Sequence, residues 1–527
     1  MTHAAAPALP AIHLCIVQPL GYVHSLGFLD QARFMRYQFR RMGAEVSLGK
    51  NRLRHDAVNI VFGAHLGFDA ALAERASCIF VNLEQLGAGG AQVSPDYLKL
   101  LACSAVVDYD RANLAAYTAH PDDVPLISFG YAPYLDAPGA LPLAERPIDL
   151  LFFGSVNDRR ERLFAEIEAA GVAVTTFNGP LYGPERDAVI RQAKAVFNCH
   201  YYDSARFEQA RAFQCLSLGT PVISERGASA QVPKAFEASV SWVGEAGLRE
   251  FFAGPFKTGD FLATAAQQLE QFRHHDGVAD YADVLAFAAG YDRVRRMHRS
   301  AAPWRPTRLH IGSGKDYRPG WLNIDIQAAT EPDAVLDLSQ PQAWPMTLDT
   351  PTHGPVELHE GSLETIYANN VLEHVGDLPR LMTHCLALLA EGGSMLIEVP
   401  YEHAPTAWQD PTHVRAMNEN SWLYYTDWFW YLGWMDHRFK LAGLTYLDGR
   451  LAGCDRAQAH FMRLKLTKCA TTPAERMVAR TMRPDFGGVP DDDIWSSDDA
   501  AFDAAPGAIA EPPAADVAQN MMAGTPA

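Results

Sequence analysis

The sequence predicts an α/β protein built from three successive doubly wound blocks and a non-globular tail, and three observations carry that reading. Short apolar runs alternate with stretches of helical periodicity from about residue 11 to residue 468. Two Pro-containing links, "APGALPLAERP" and "SAAPWRPTR", interrupt the alternation. Beyond about residue 470 the chain becomes Ala, Pro, Asp and Gly, too poor in large apolar side chains to offset chain entropy. A chain of 527 residues also exceeds what one hydrophobic core organises, and 48% apolar residues suits a globular protein.

In the first block, 1–140, strands are expected at "IHLCIV", "VNIVFGA", "CIFVNL", "AVVDY" and "PLISFGY". A helix in "FLDQARFMRYQFRRMGAEV" has apolar residues at helical spacing and a Gly after its last turn. The second block, 141–300, repeats the pattern: strand 148–153, helix 159–170, strand "VAVTTFNG", helix 185–195 and strand "AVFNCHYY". A helix in "FEQARAFQCLSLG", a strand in "PVISE" and a helical stretch over 245–299 close it. The third block, 305–470, has runs at "RLHIGSG", "WLNIDI", "AVLDL", "TIYANNVL" and "SMLIEVP". Residues 471–527 are expected to form a disordered acidic tail.

The formal charge is −18, from 44 basic and 62 acidic residues. About half of it lies in the stretch from Asp485 onward, which holds nine acids and no Lys or Arg. A nucleic-acid partner would need a basic stripe, so none is expected. The eight cysteines are scattered, with no CxxC pair; they read as reduced thiols of a cytoplasmic protein, and no metal site is expected. The N-terminus lacks the charge pattern of a signal peptide, and no 18-residue apolar stretch suggests a membrane span. Peripheral membrane association stays open.

The third block carries the most specific chemistry. "LHIGSG" reads as a strand entering a turn in which Gly312 and Gly314, flanking Ser313, let the backbone approach a ligand. Asp325 ends the next strand, where a carboxylate can accept from both hydroxyls of a ribose. Asp337 ends a third, and Asn369 and Asn370 end a fourth, ahead of Glu373 and His374 on an expected helix. These polar residues gather at the carboxyl ends of the strands, where open α/β sheets bind ligands. The loop has Lys315 and Asp316 in place of a third glycine, which suits a cofactor without a pyrophosphate better than a dinucleotide. The block resembles a class I S-adenosylmethionine-dependent methyltransferase. The resemblance implies that Gly312, Ser313, Gly314, Asp325, Asp337 and Asn370 hold S-adenosylmethionine. It also implies that the aromatic segment after the fifth strand covers the acceptor. Transfer to a hydroxyl needs alignment and a base, for which His413 and His374 are candidates, with Asp410 to orient a histidine.

In the second block, "LLFFGSVNDRRERLF" leads from a strand through Gly154 and Ser155 to a helix start at Asn157 and Asp158. Arg159, Arg160 and Arg162 oppose the helix dipole there, which a bound pyrophosphate would reverse. Glu208 and Arg211 follow in "RFEQARAFQCLSLGTPVISE", and His200 and Tyr201 precede them. This stretch resembles the donor domain of GT-B glycosyltransferases of the spore-maturation-protein type. The resemblance implies two Rossmann-like domains in the GT-B arrangement. It implies a nucleotide-sugar donor held by Gly154, Ser155, Arg159, Arg160, His200, Glu208 and Arg211, with Glu208 in a catalytic role. Gln214 stands where a better-known two-glutamate motif has its second Glu. In "DYD" at 108–110, Asp110 reads as a helix cap rather than part of a metal site. The combined expectation is a bifunctional enzyme of surface polysaccharide or glycan biosynthesis that methylates a sugar. The alternative is a methyltransferase carrying a non-catalytic glycan-binding module.

Overall fold

In a computed structural model, residues 9–136, 141–177, 179–227, 230–298 and 302–482 are described. The first sheet takes β1 (Ile12–Ile16), β2 (Val46–Lys50), β3 (Val58–Phe62), β4 (Ser77–Asn82) and β5 (Ala105–Asp108). All its pairings are parallel, in the order β2-β1-β3-β4-β5. β1, β3 and β4 are buried at every position, as strands covered on both faces must be, which is why they read as unbroken apolar runs. The expected strand at "PLISFGY" is reduced to one isolated bridge, Leu126 to Asp108.

The second sheet takes β6 (Ile148–Phe152), β7 (Val174–Thr176), β8 (Ala193–Asn198), β9 (Val222–Glu225) and β10 (Ser241–Val243). Its order, β10-β9-β8-β6-β7, repeats the topology of the first, again all parallel. One apolar cluster contains side chains of both sheets' layers, with Phe129 stacked on Phe213 at 4.7 Å. Arg186 and Asp30 join the two halves at 2.9 Å, both buried. The helix Val278–His298 differs from its expected place in the second block. It packs against the helix Leu29–Arg41, with Tyr281 5.4 Å from Phe34, and Arg295 donates to the carbonyl of Ala73.

The third sheet begins with β11 (Arg308–Ile311), β12 (Leu322–Asp325) and β13 (Ala334–Val335), the last only two residues long. An antiparallel ribbon of β14 (Met346–Thr350) and β15 (Gly354–Leu358) stands apart from it. The sheet continues with β16 (Leu363–Asn369), β17 (Leu389–Pro400), β18 (His437–Leu447), β19 (Gly453–Cys454) and β20 (Phe461–Ala470). The order is β13-β12-β11-β16-β17-β20-β18-β19, parallel up to β17 and antiparallel from β17 to β20. The chain winds one way from β11 to β12 and the other way to β16, so a crevice opens at the carboxyl ends of β11 and β16.

By contacts the chain forms two compact units. One is Met1–Glu419 with Leu441–Lys468 and holds the first two sheets and the crevice; the other is Asn420–Lys440 with Cys469–Ala527. Within the second unit, the expected tail is corrected at its start. Pro473–Thr481 is a helix, because Thr472 and Glu475 form a reciprocal capping box and Pro473 fits the first turn. The disorder expected from residue 483 on lies outside the described residues. Among the described residues no helix is long and apolar enough to cross a membrane.

Candidate functional site

The loop after β11 is built around two left-handed glycines, Gly312 at φ 61° and Gly314 at φ 49°. A Cβ on Gly312 would sit 2.4 Å from Cγ2 of Val371, so this backbone packs directly under the turn that follows β16. Ser313 is buried, and its N–H donates to the carbonyl of Ile324 at 3.1 Å, tying the loop to β12. Asp325 is 8% exposed. Its Oδ2 accepts from the N–H of Gly314 at 2.8 Å and its Oδ1 from the N–H of Gln327 at 2.8 Å. The acid at the end of β12 therefore fixes the glycine loop while two of its roughly four acceptor positions stay open.

Of the other expected cofactor residues, Asn370 is exposed at φ 51°, and its N–H donates to the carbonyl of Glu398 at 2.9 Å. Its neighbour Asn369 has a buried Oδ1 with no partner. Asp337 is engaged locally. Burial alone would raise its carboxyl, but the hydroxyl and N–H of Ser339, with Gln340, hold it below the ordinary carboxylate range.

Glu373 and His374 sit on a short 3-10 turn, Leu372–His374, instead of the expected helix. The loop carrying His413 is clamped to that turn, with the N–H of Val414 donating to the carbonyl of Glu373 at 2.9 Å. His413 Nε2 lies 4.0 Å from Glu373 Oε1, and the His374 and His413 rings meet edge to face at 4.6 Å. Glu373 is 1% exposed, and neither carboxylate oxygen has a hydrogen-bond partner. Burial pushes this carboxyl up to about 7, against the pull of His413. Asp410 does not reach His413. It accepts from the hydroxyl of Thr412 at 2.6 Å, and that hydroxyl lies 3.0 Å from Nδ1 of His374. Asp410 thus orients His374 through Thr412.

The aromatic segment after β17 divides by burial. Trp422, Tyr425, Phe429 and Trp434 are buried, whereas Tyr424, Trp428 and Tyr431 are exposed, with Tyr424 5.3 Å from Trp428 and 5.4 Å from Tyr431.

Between the first two sheets lies a cleft of about 760 Å³, lined at the carboxyl ends of their strands by residues such as Glu84, Tyr109, Gly154, Arg160, Tyr201 and Glu208. Asn157 caps the helix Asp158–Ala169 by accepting from the N–H of Arg160. Arg160, 2% exposed, donates to the carbonyls of Ser155 at 2.7 Å and Cys199 at 2.5 Å, and to Glu208 Oε1 at 2.8 Å. Arg211 holds the other oxygen, Oε2, at 2.7 Å. Gly154, at φ 125°, admits that guanidinium: a Cβ there would lie 2.8 Å from Nη2 of Arg211. Gly154, Ser155, Arg160, Glu208 and Arg211 therefore converge. Arg159 and His200 do not line this cleft. Arg159 pairs with both oxygens of Glu225 and with Glu245 at 3.1 Å. His200 is buried, with Nδ1 against the carbonyl of Arg206. Asp110 caps the helix Arg111–Leu114 through the N–H of Ala112, and Asp108 is buried among Asn82, Asn113 and Tyr117.

The crevice at β11 and β16, with its glycine turn fixed by a strand-end acid, agrees with the outcome of a family comparison. Residues 279–446 match the family model of a methyltransferase domain. The match begins inside the helix Val278–His298 and includes Gly312, Asp325, Glu373 and His413. No curated protein matches the chain. Among solved structures, it is similar to an S-adenosylmethionine-dependent methyltransferase from Mesorhizobium loti, at 15% identity over 34% of this chain and 98% of that one, with a TM-score of 0.21. A methyltransferase from Archaeoglobus fulgidus is similar at 14% identity over 33% and 91%, TM-score 0.21. An α,α-trehalose-phosphate synthase (UDP-forming) from Burkholderia vietnamiensis is similar at 13% identity over 54% and 79%, TM-score 0.31.

Sequence reasoning missed several residues that shape the methyltransferase domain. Glu373 was visible beside His374, but its lack of partners is a property of the fold. Asp333, 2% exposed, accepts from Tyr317 at 2.8 Å and from the N–H of Asn323 at 2.7 Å, and so anchors β12. Val371 matters through Gly312. We expect Gly312→Ala to destabilise the chain by about 2–4 kcal/mol, part from the left-handed backbone and part from the collision with Val371. Adding Val371→Ala should recover the collision part alone, as read from thermal midpoints of the two variants. Full recovery in the double variant would refute a backbone contribution.

Proposed function

We propose that the chain is an S-adenosylmethionine-dependent methyltransferase fused to a GT-B-type module that binds a nucleotide sugar, and that it methylates a sugar hydroxyl during glycan assembly. The methyl-donor reading rests on the glycine loop and Asp325. The left-handed Gly314 has room where a Cβ would stand, Asp325 keeps acceptor positions open for ribose hydroxyls, and Asn369 Oδ1 is a buried acceptor awaiting a donor. S-adenosylmethionine supplies the electrophilic methyl group when bound. The chain's part is to hold it by Gly312, Ser313, Gly314 and Asp325 and to align the acceptor.

The donor-sugar reading is carried by the convergence of Arg160 and Arg211 in a cleft lined by the carboxyl ends of two parallel sheets. Two guanidiniums beside a Gly turn suit a diphosphate and could neutralise it as a leaving group without a metal. A second reading, in which this module binds glycan without transferring sugar, is favoured by one observation: both oxygens of Glu208 are ion-paired, so it is no ready base.

Calorimetry on the full chain tests the first claim, and saturable S-adenosylmethionine binding is the expected result; its absence sinks the reading. UDP- and GDP-sugar hydrolysis by the wild type and by Arg211→Ala tests the second. Turnover lost in the variant supports transfer, whereas equal near-zero turnover leaves binding alone.

A further inference from the structure

The buried carboxylate of Glu373 has no use in either reading, and the groups around it are arranged in one way. A carbonyl can only accept, so Nδ1 of His413, 2.8 Å from the carbonyl of Ala407, carries the ring proton of the neutral imidazole. The same holds for His374. Thr412 donates its hydroxyl to Asp410, so it accepts from Nδ1–H of His374. Both rings then keep Nε2 as a lone pair. Glu373 adds two oxygens without a donor. Three groups with metal-ligating atoms converge, and one ligand atom of each lies within 4.8 Å of the others.

The geometry points to a divalent transition-metal site, of the Zn²⁺ type, made by Glu373, His374 and His413. Two imidazoles and one carboxylate favour a borderline ion over Mg²⁺ or Ca²⁺, which prefer oxygen sets. An ion with ligands about 2.1 Å away spaces tetrahedral ligand atoms about 3.4 Å apart, and the 4.0 Å between His413 Nε2 and Glu373 Oε1 is within side-chain adjustment. The supporting groups are in place: Ala407 orients His413, and Thr412 with Asp410 orients His374. His374 is exposed whereas Glu373 is buried, so the site is open on one side, as three-ligand sites with a free position are. Glu373 comes two residues after Val371, the side chain lying against Gly312. On the methyl-transfer reading, which this last step rests on, the free position takes a hydroxyl oxygen of the acceptor and lowers its pKa beside the methyl group.

The test uses tag-free full-length chain stripped with chelator and titrated with Co²⁺ and Zn²⁺. One equivalent of Co²⁺ should bind with a visible absorption band that Zn²⁺ displaces. Glu373→Gln and His413→Asn should each weaken binding by more than about 100-fold, beyond what losing an outer partner costs, while their far-UV circular dichroism matches the wild type. No saturable band in the wild type, or Co²⁺ affinity in either variant equal to that of the wild type, overturns the site. S-adenosylmethionine binding is measured in the same preparations. Co²⁺ binding without S-adenosylmethionine binding leaves the metal site standing and removes the methyl-transfer reading. The reverse result removes the metal site alone.

Discussion

Asp325→Ala is expected to weaken S-adenosylmethionine binding to the full chain by roughly a hundred- to a thousandfold. The carboxylate ends β12, nearly buried, and accepts one N–H from Gly314 and one from Gln327. Those two bonds fix the backbone of the glycine loop and leave acceptor positions that, on the proposed reading, take the two ribose hydroxyls. At the low end of the range for a hydrogen bond to a charged group, about 1.5–2 kcal/mol, losing two such contacts costs about 3–4 kcal/mol, which is the stated change in Kd. Part of the loss comes from the loop itself, because Gly314 and Gln327 lose their acceptor. Asp325→Asn separates the parts. It keeps the shape and one oxygen but turns an amide N–H toward one of the two backbone donors, so it too should bind weakly. Calorimetric titration reads the effect, and a Kd for Asp325→Ala within about threefold of the wild type would remove Asp325 from the cofactor site.

The legibility of this site in the sequence follows from its locality. Gly312, Gly314 and Asp325 lie within fourteen consecutive residues, and a strand, a glycine turn and a strand-end acid are each set by neighbours in the chain. The parallel strands β1, β3 and β4 were legible for a related reason: buried on both faces, they must be apolar throughout. β20 is different. Its residues "FMRLKLTKCA" alternate cleanly, yet a search for apolar runs passes over them. What remained hidden depended on partners far along the chain. Arg159 and Arg160 are adjacent at one helix start, but successive helical side chains diverge by about 100°. One meets Glu225 and Glu245 and the other meets Glu208, and nothing in "DRRER" distinguishes them. His200 reads as a cleft residue by position, and its burial follows from the Arg206 carbonyl that takes its ring nitrogen. Glu373 is the extreme case, since what sets it apart is the lack of a donor in a turn closed by a loop forty residues later.

The same dependence on distant partners makes Arg160 a position where a single truncation should cost much stability. Its guanidinium is 2% exposed and holds the carbonyls of Ser155 and Cys199 together with one oxygen of Glu208. Burial works against its charge, and Glu208 offsets that. Arg160→Ala leaves Glu208 facing Arg211 alone and takes a donor from three carbonyls, those of Ser155, Cys199 and His200, in the region the side chain had filled. A buried acceptor left without its donor costs about 1–3 kcal/mol, so a loss of about 3–5 kcal/mol in all is expected in the unfolding of the chain, followed by urea titration. Glu208→Ala should cost less. Glu208 is 21% exposed at its side chain, so water can replace part of what it loses, and Arg160 keeps its carbonyls. The order of the two effects carries the claim. If Glu208→Ala proved the more damaging, the pair would be organised around the acid, and Glu208 would return as a residue kept for chemistry instead of one that positions two cations for a diphosphate.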